Sequence, residues 1–152
     1  MNTGMEIDVR GPRCSAAITC AVLVTAYLLQ SAALLAVQVI VFVIAAFAGP
    51  GRSPYGYAFR ILKRLRGWGP PPATESEAGV RFSQLVGMAV AGAALVAISA
   101  DATGLGWGLT LVVIALSGLL AVTGLCVGCE VHAIGQRVLR RGAVDRMSSR
   151  RD

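Results

Sequence analysis

Two long stretches without a charged residue dominate the chain. The first covers residues 14–51, and the second covers residues 82–129, interrupted only by Asp101 and the glycine-rich segment 103–108. A bilayer core about 30 Å thick is crossed by about 20 helical residues. Residues 82–100 supply one such span. Residues 107–130 supply another, opened by Trp107 at the level where interfacial aromatics sit. The first stretch has 38 residues. As a single helix it would be about 57 Å long at 1.5 Å per residue, too long for one crossing. The polar pair Gln30 and Ser31 divides it into helices over residues 14–30 and 32–48. The pattern predicts an all-α polytopic membrane protein with four transmembrane helices in two hairpins.

Charge fixes the orientation. Basic residues are retained on the cytoplasmic side of a membrane. With four helices and both termini cytoplasmic, the inner segments are residues 1–13, 50–81 and 131–152. These carry all 14 Lys and Arg residues, and the two outer turns carry none. Three helices would strand many of them on the wrong side. A multi-pass protein of the cell membrane, with 1–152 as a single membrane domain, is therefore expected.

Composition agrees. Apolar residues make up 55% of the chain and charged residues 14%, against about a quarter charged in soluble domains. The net charge of +6 raises the question of nucleic acid. The basic residues flank apolar segments and aromatics are few, so the bilayer, and not nucleic acid, is the expected partner. Ala46, Phe47 and Ala48 mimic a signal-cleavage site. The uncharged stretch before them is roughly twice the length of a signal-peptide core, so the chain is expected to stay intact. The apolar run follows Cys20 instead of preceding it, which argues against a lipoprotein anchor.

The basic loop 50–81 has internal order. Over residues 55–68, Ala58, Ile61, Leu62 and Leu65 follow helical spacing, with Arg60, Lys63 and Arg64 mostly elsewhere. This predicts an amphipathic helix lying in the interface; the alternative is a plain loop that is basic only for topology. Gly69 and Pro70 to Pro72 stop any helix, and residues 73–79 form a polar linker. Residues 131–152 form a basic tail.

Candidate chemistry is confined to cysteine. The topology puts all four cysteines near the cytoplasmic rim. Cys126 and Cys129 stand three apart, so on a helix their thiols are neighbours. The cytosol is reducing and disfavours a permanent structural disulfide, which leaves a redox pair, a sulfur relay or metal ligands. Read as the end of the last span, the pair lies at a helix C-terminus, where the dipole disfavours a thiolate. Glu130 adds a like charge and is a candidate modulator; His132 and Arg137 oppose it. On that helix Ser117, Ala121, Gly124 and Gly128 form a small-residue stripe suited to close packing. The cysteines fall on the opposite face unless Gly124 or Gly128 breaks the helix. Cys126, Cys129 and His132 could supply three metal ligands, but no fourth is evident. Cys14 and Cys20 read as packing residues, and Asp101 as a turn or cap on the outer side. The spans hold no ionisable group, so ion transport has little support. No serine triad, phosphate loop or buried carboxylate pair occurs, no cofactor is implied, and the only enzyme activity in view is thiol exchange or sulfur transfer.

The patches Asp8 to Arg13, Gly49-Pro50, Ser53 to Gly56, Arg81 to Gln84 with Gly87, and Gly124 to Glu130 resemble the bacterial, largely actinobacterial, membrane-protein family known as domain of unknown function 4395. The last patch is the most specific. The family motif maps onto Cys126, Cys129 and Glu130, but not onto Cys14, Cys20 or His132. The resemblance implies no activity. It points by association to thioredoxin-like or sulfurtransferase partners. A thiol-disulfide or sulfur-relay protein is the leading expectation; the alternatives are a scaffold or transporter subunit with structural cysteines, and metal binding by the pair.

Overall fold

The protein, seen in a computed structural model, is described over the backbone of residues 6–148 and the side chains of residues 6–138. It is mostly helical. Strand β1 (Glu6–Asp8) leads into α1 (Arg10–Leu28) and α2 (Ala32–Phe47). A 3-10 turn (Pro50–Arg52) precedes α3 (Pro54–Leu65). Strand β2 (Thr74–Ser76) leads into α4 (Glu77–Ser99), α5 (Thr103–Thr123) and α6 (Val127–Ser148). Residues 1–5 and 149–152, parts of the expected N-terminal segment and tail, lie outside the described residues.

Helices α1, α4 and α5 are long and apolar enough to cross a membrane; α2 is apolar but spans 16 residues. These four form a ring: α1 packs on α2 and α5, and α4 packs on α2 and α5. Leu23, Leu35, Phe42, Ala91, Ala94 and Val113 fill its centre. Fully buried Ala91 and Ala94 let α4 approach its neighbours closely, as small residues do between helices in lipid. Many large apolar side chains point outward, among them Leu28, Ile40, Val96, Leu105 and Val122. A soluble surface rarely leaves such a broad apolar belt uncovered.

The turn between α1 and α2 falls where the polar pair predicted it. Gln30 takes a left-handed conformation (φ 50°). The Ser31 hydroxyl then accepts the Leu34 N–H and caps α2. Asp101 (φ 61°) plays the corresponding backbone role between α4 and α5, and no side chain caps α5. Trp107 lies in the first turns of α5. Its ring is buried edge-on against Tyr27, with centroids 5.9 Å apart.

The opposite end of the ring carries the connections. Here β1 and β2 pair antiparallel, with Ile7 opposite Glu75, so the stretch expected as linker is partly strand. Asp8 ties three elements together. Its carboxylate accepts the Arg10 N–H at the start of α1 and pairs with Lys63 of α3 at 3.1 Å. Arg81 donates to the Ala46 and Phe47 carbonyls, satisfying orphan acceptors at the end of α2. The amphipathic helix expected over 55–68 is α3. It buries Gly56 and Phe59 and leaves Tyr57, Ile61 and Leu65 exposed. Every Lys and Arg of α1 to α5 and their connections belongs to this end.

The sequence pattern predicted one helix over residues 107–130 followed by a tail. The chain instead breaks at Gly124 and restarts as α6. Gly124 is left-handed (φ 77°), and its N–H bonds the Leu120 carbonyl. Glycine is the residue that takes this conformation at a helix end without a steric cost.

Candidate functional site

The break at Gly124 decides the setting of the cysteine pair. Arg13 of α1 reaches across the α5 terminus and donates to the Val122 carbonyl at 3.0 Å. The Thr123 hydroxyl accepts the Leu125 N–H and steers the chain outward. Cys126 then stands immediately before α6. Its sulfur accepts the Cys129 N–H at 3.3 Å, and its carbonyl accepts the Glu130 N–H at 3.0 Å. Cys126 thus caps the helix as a serine would. Cys126 and Cys129 are joined as a disulfide, with Cα atoms 5.1 Å apart.

This reverses the expected electrostatics. The pair opens a helix instead of closing one, so unpaired N–H groups and the positive dipole end face the sulfurs. That environment favours a thiolate over a thiol. The sulfurs follow the exception that a break at Gly124 allowed. They do not turn away from the helix contact: Gly79 of α4 lies against Cys129, where an added Cβ would sit 3.5 Å from the Cys129 Cβ. The neighbouring Gly128 packs on Ser83. Glycine at both places lets α6 dock on α4 with Cys129 in the contact.

The two cysteines differ in access. Cys126 is 7% exposed and also borders an apolar cavity of about 230 Å³ between the helices. Cys129 is half-buried. Both line a polar cleft of about 500 Å³ with Glu6, Glu75, Glu130 and His132. Glu75 enters the cleft from β2. One of its carboxylate oxygens is shielded and has no hydrogen-bond partner among the described residues. Burial pushes the Glu75 carboxyl above the ordinary carboxylate range, and the Arg13 guanidinium partly opposes this.

The other candidates separate clearly. Glu130 lies on the cleft wall and is exposed. His132 stacks on Phe82, with ring centroids 5.4 Å apart, and its Nε2 lies 3.4 Å from Gln136. Among the described residues no three His, Cys, Asp or Glu side chains are gathered to hold a metal. Cys14 and Cys20 are free thiols. Cys20 donates weakly to the Ile114 carbonyl of α5 and serves the α1–α5 contact.

Residues 7–137 match the family model described as a domain of unknown function, DUF4395. The chain belongs to this family. The matched region runs from β1 into α6 and contains the cysteine pair, Arg13, Glu75 and Gly124. No curated protein and no solved structure matches the chain.

Arg13, Glu75 and Gly79 were not singled out as site residues by the sequence. Glu75 and Gly79 reach the cleft through the pairing of β1 with β2 and the docking of α6 on α4, and Arg13 meets the site through its contacts with Val122 and Gly124. Gly124 was the one legible signal, a glycine just ahead of the pair.

Proposed function

We propose that this DUF4395 protein is a multi-pass protein of the cell membrane whose Cys126–Cys129 pair exchanges between dithiol and disulfide with a thioredoxin-like or sulfurtransferase partner on the cytoplasmic side. The observation that carries this reading is the placement of the pair at the start of α6, bonded to each other and open to a polar cleft. Four crossings by α1, α2, α4 and α5 fit the apolar belt. Helix α2, about 24 Å long at 1.5 Å per residue, crosses only a locally thinned bilayer or one reached by flanking residues. The concentration of basic residues at the connection end supports a cytoplasmic placement of that end. The exposed Tyr57, Ile61 and Leu65 of α3 suit an interfacial position.

Exposure and helix geometry support distinct roles for the two sulfurs. A partner thiolate attacks the accessible Cys129 sulfur, forming a mixed disulfide and releasing Cys126 as a thiolate. The Cys129 N–H and the α6 terminus stabilise that leaving group, and a stabilised thiolate leaves faster. A second partner thiol, as its thiolate, attacks the partner's own sulfur in the mixed disulfide. This releases Cys129 and forms the partner disulfide. Two electrons pass from the partner dithiol to the pair, and the pair takes up two protons. In the dithiol form, the Cys129 thiolate would attack the outer sulfur of a persulfide donor, forming a Cys129 persulfide and releasing the donor as its thiolate.

Trapping tests the reading. Cys126→Ser keeps the exposed sulfur and is expected to accumulate mixed disulfides with soluble partners. Cys129→Ser keeps only the buried sulfur and is expected to trap far less. If neither variant traps a partner and the double variant behaves as wild type, the cysteines are structural.

A further inference from the structure

We propose that Glu75 is the proton acceptor and donor of the Cys126–Cys129 pair, acting across the cleft that the three side chains line. The inference rests on the redox reading above and deepens it.

Three observations converge on Glu75. It lines the same cleft as both cysteines. One carboxylate oxygen is shielded from solvent without a hydrogen-bond partner among the described residues. Glu75 as a whole is half-buried, and leaving one shielded carboxylate oxygen without a partner is costly. Glu75 is also held in place from two directions. Its strand pairs with β1 opposite Ile7, and four residues later Gly79 touches Cys129. The desolvation that raises its carboxyl moves it toward neutrality, where a proton-transfer group works best.

The charged groups around it set its direction of action. Arg13 of α1 favours the carboxylate. Glu6 of β1 and Glu130 and His132 of α6 line the same cleft. Arg13 also lies against Gly124, two residues from Cys126.

The proton step is simple to balance. In the direction that oxidises the pair, the Glu75 carboxylate takes the proton of a cysteine thiol and becomes the acid. The thiolate attacks a partner disulfide, forming one mixed disulfide and expelling a partner thiolate. The Glu75 acid returns the proton to that thiolate. The second cysteine, as its thiolate, then closes the Cys126–Cys129 disulfide and expels the other partner sulfur, its proton passing by the same carboxyl. The pair loses two electrons and the partner disulfide gains them.

The test measures exchange of the full-length protein in detergent micelles with a small disulfide, oxidised dithiothreitol, and with its dithiol, as a function of pH. Wild type, Glu75→Gln and Glu75→Asp are compared in a Cys14→Ser, Cys20→Ser background. Glu75→Gln is expected to slow exchange by ~10- to 100-fold at neutral pH, at or below the low end of general acid–base effects. Its rate should rejoin the wild type at alkaline pH, where thiols ionise unaided, and Glu75→Asp should restore part of the neutral rate. Superimposed pH profiles for wild type and Glu75→Gln, with Glu75→Asp no different from either, would overturn the role of Glu75 while leaving the redox pair intact. Failure of wild type to exchange at any pH would overturn both readings.

Discussion

Gly128 on α6 meets Ser83 on α4 so closely that a Cβ at residue 128 would lie 2.6 Å from the Ser83 Cβ. This contact fixes the first turn of α6 against α4 and presses Cys129 onto Gly79. Sequence, packing and chemistry meet there, because Gly128, one of the two residues between the cysteines, sets how near the reactive turn comes to the bundle.

Gly128→Ala should therefore push α6 outward. Overpacking of this kind costs about 1–3 kcal/mol. A lower melting temperature and faster reduction of the Cys126–Cys129 disulfide are expected, with Ser83→Gly restoring part of the loss. An unchanged melting temperature would mean that the close approach does not hold α6.

Gly124 should be replaceable only by a residue that tolerates a left-handed backbone. A Cβ in that conformation costs roughly 1–2 kcal/mol, and asparagine bears it better than alanine. Stability and alkylation rate of the reduced pair should fall in the order wild type, Gly124→Asn, Gly124→Ala. Equal rates in all three would show that the break is not needed to activate the pair.

A polar network crosses the apolar ring. Gln38, 0% exposed, donates to the Thr19 hydroxyl at 3.3 Å and accepts from the Tyr55 hydroxyl at 2.6 Å. It joins α1, α2 and α3. Tyr55→Phe leaves the Gln38 carbonyl oxygen without its donor and should cost about 1–3 kcal/mol. Combined with Gln38→Leu, the loss should be smaller than the sum of the two single changes. Strict additivity in thermal denaturation would show that the two side chains act independently.

Stability should also depend on pH through Glu75. Its folded-state carboxyl is raised by burial, so over the interval above the unfolded value the folded protein holds a proton that the unfolded chain releases. Stability then falls as pH rises through that interval. Glu75→Gln cannot lose the proton. Its melting temperature should match wild type below the ordinary carboxylate range, exceed it increasingly as pH rises through the interval up to the raised value, and keep a constant lead above it. Parallel curves would contradict a raised Glu75.

Much of the fold could be read from the chain because lipid imposes strong rules. The uncharged stretches marked the apolar helices, and the Gln30-Ser31 pair marked a turn that carries no glycine or proline. The amphipathic spacing marked α3. The site was less legible for a physical reason. Residues 107–130 are apolar throughout, so hydrophobic pattern alone carried the helix through Gly124, although one left-handed residue was enough to end it. That single break reversed the dipole at Cys126 and Cys129 and turned Cys129 toward α4. Glu75 was hidden by distance along the chain. Its strand is short and polar, and only its partner β1, 68 residues away at the Glu6–Thr74 hydrogen bond, gives it a fixed place. The contact of Trp107 with Tyr27 was likewise not readable, because it joins side chains 80 residues apart.

The central claim, that Cys126 and Cys129 form a reversible redox pair, is tested most directly by their state in living cells. Cells expressing the Cys14→Ser, Cys20→Ser protein are quenched in acid, and free thiols are tagged with a maleimide polymer that shifts electrophoretic mobility. The pair is expected to be found in both forms, to move to the disulfide within minutes of a thiol oxidant, and to return to the dithiol after its removal. A pair that stays wholly in one form through both treatments would contradict the account.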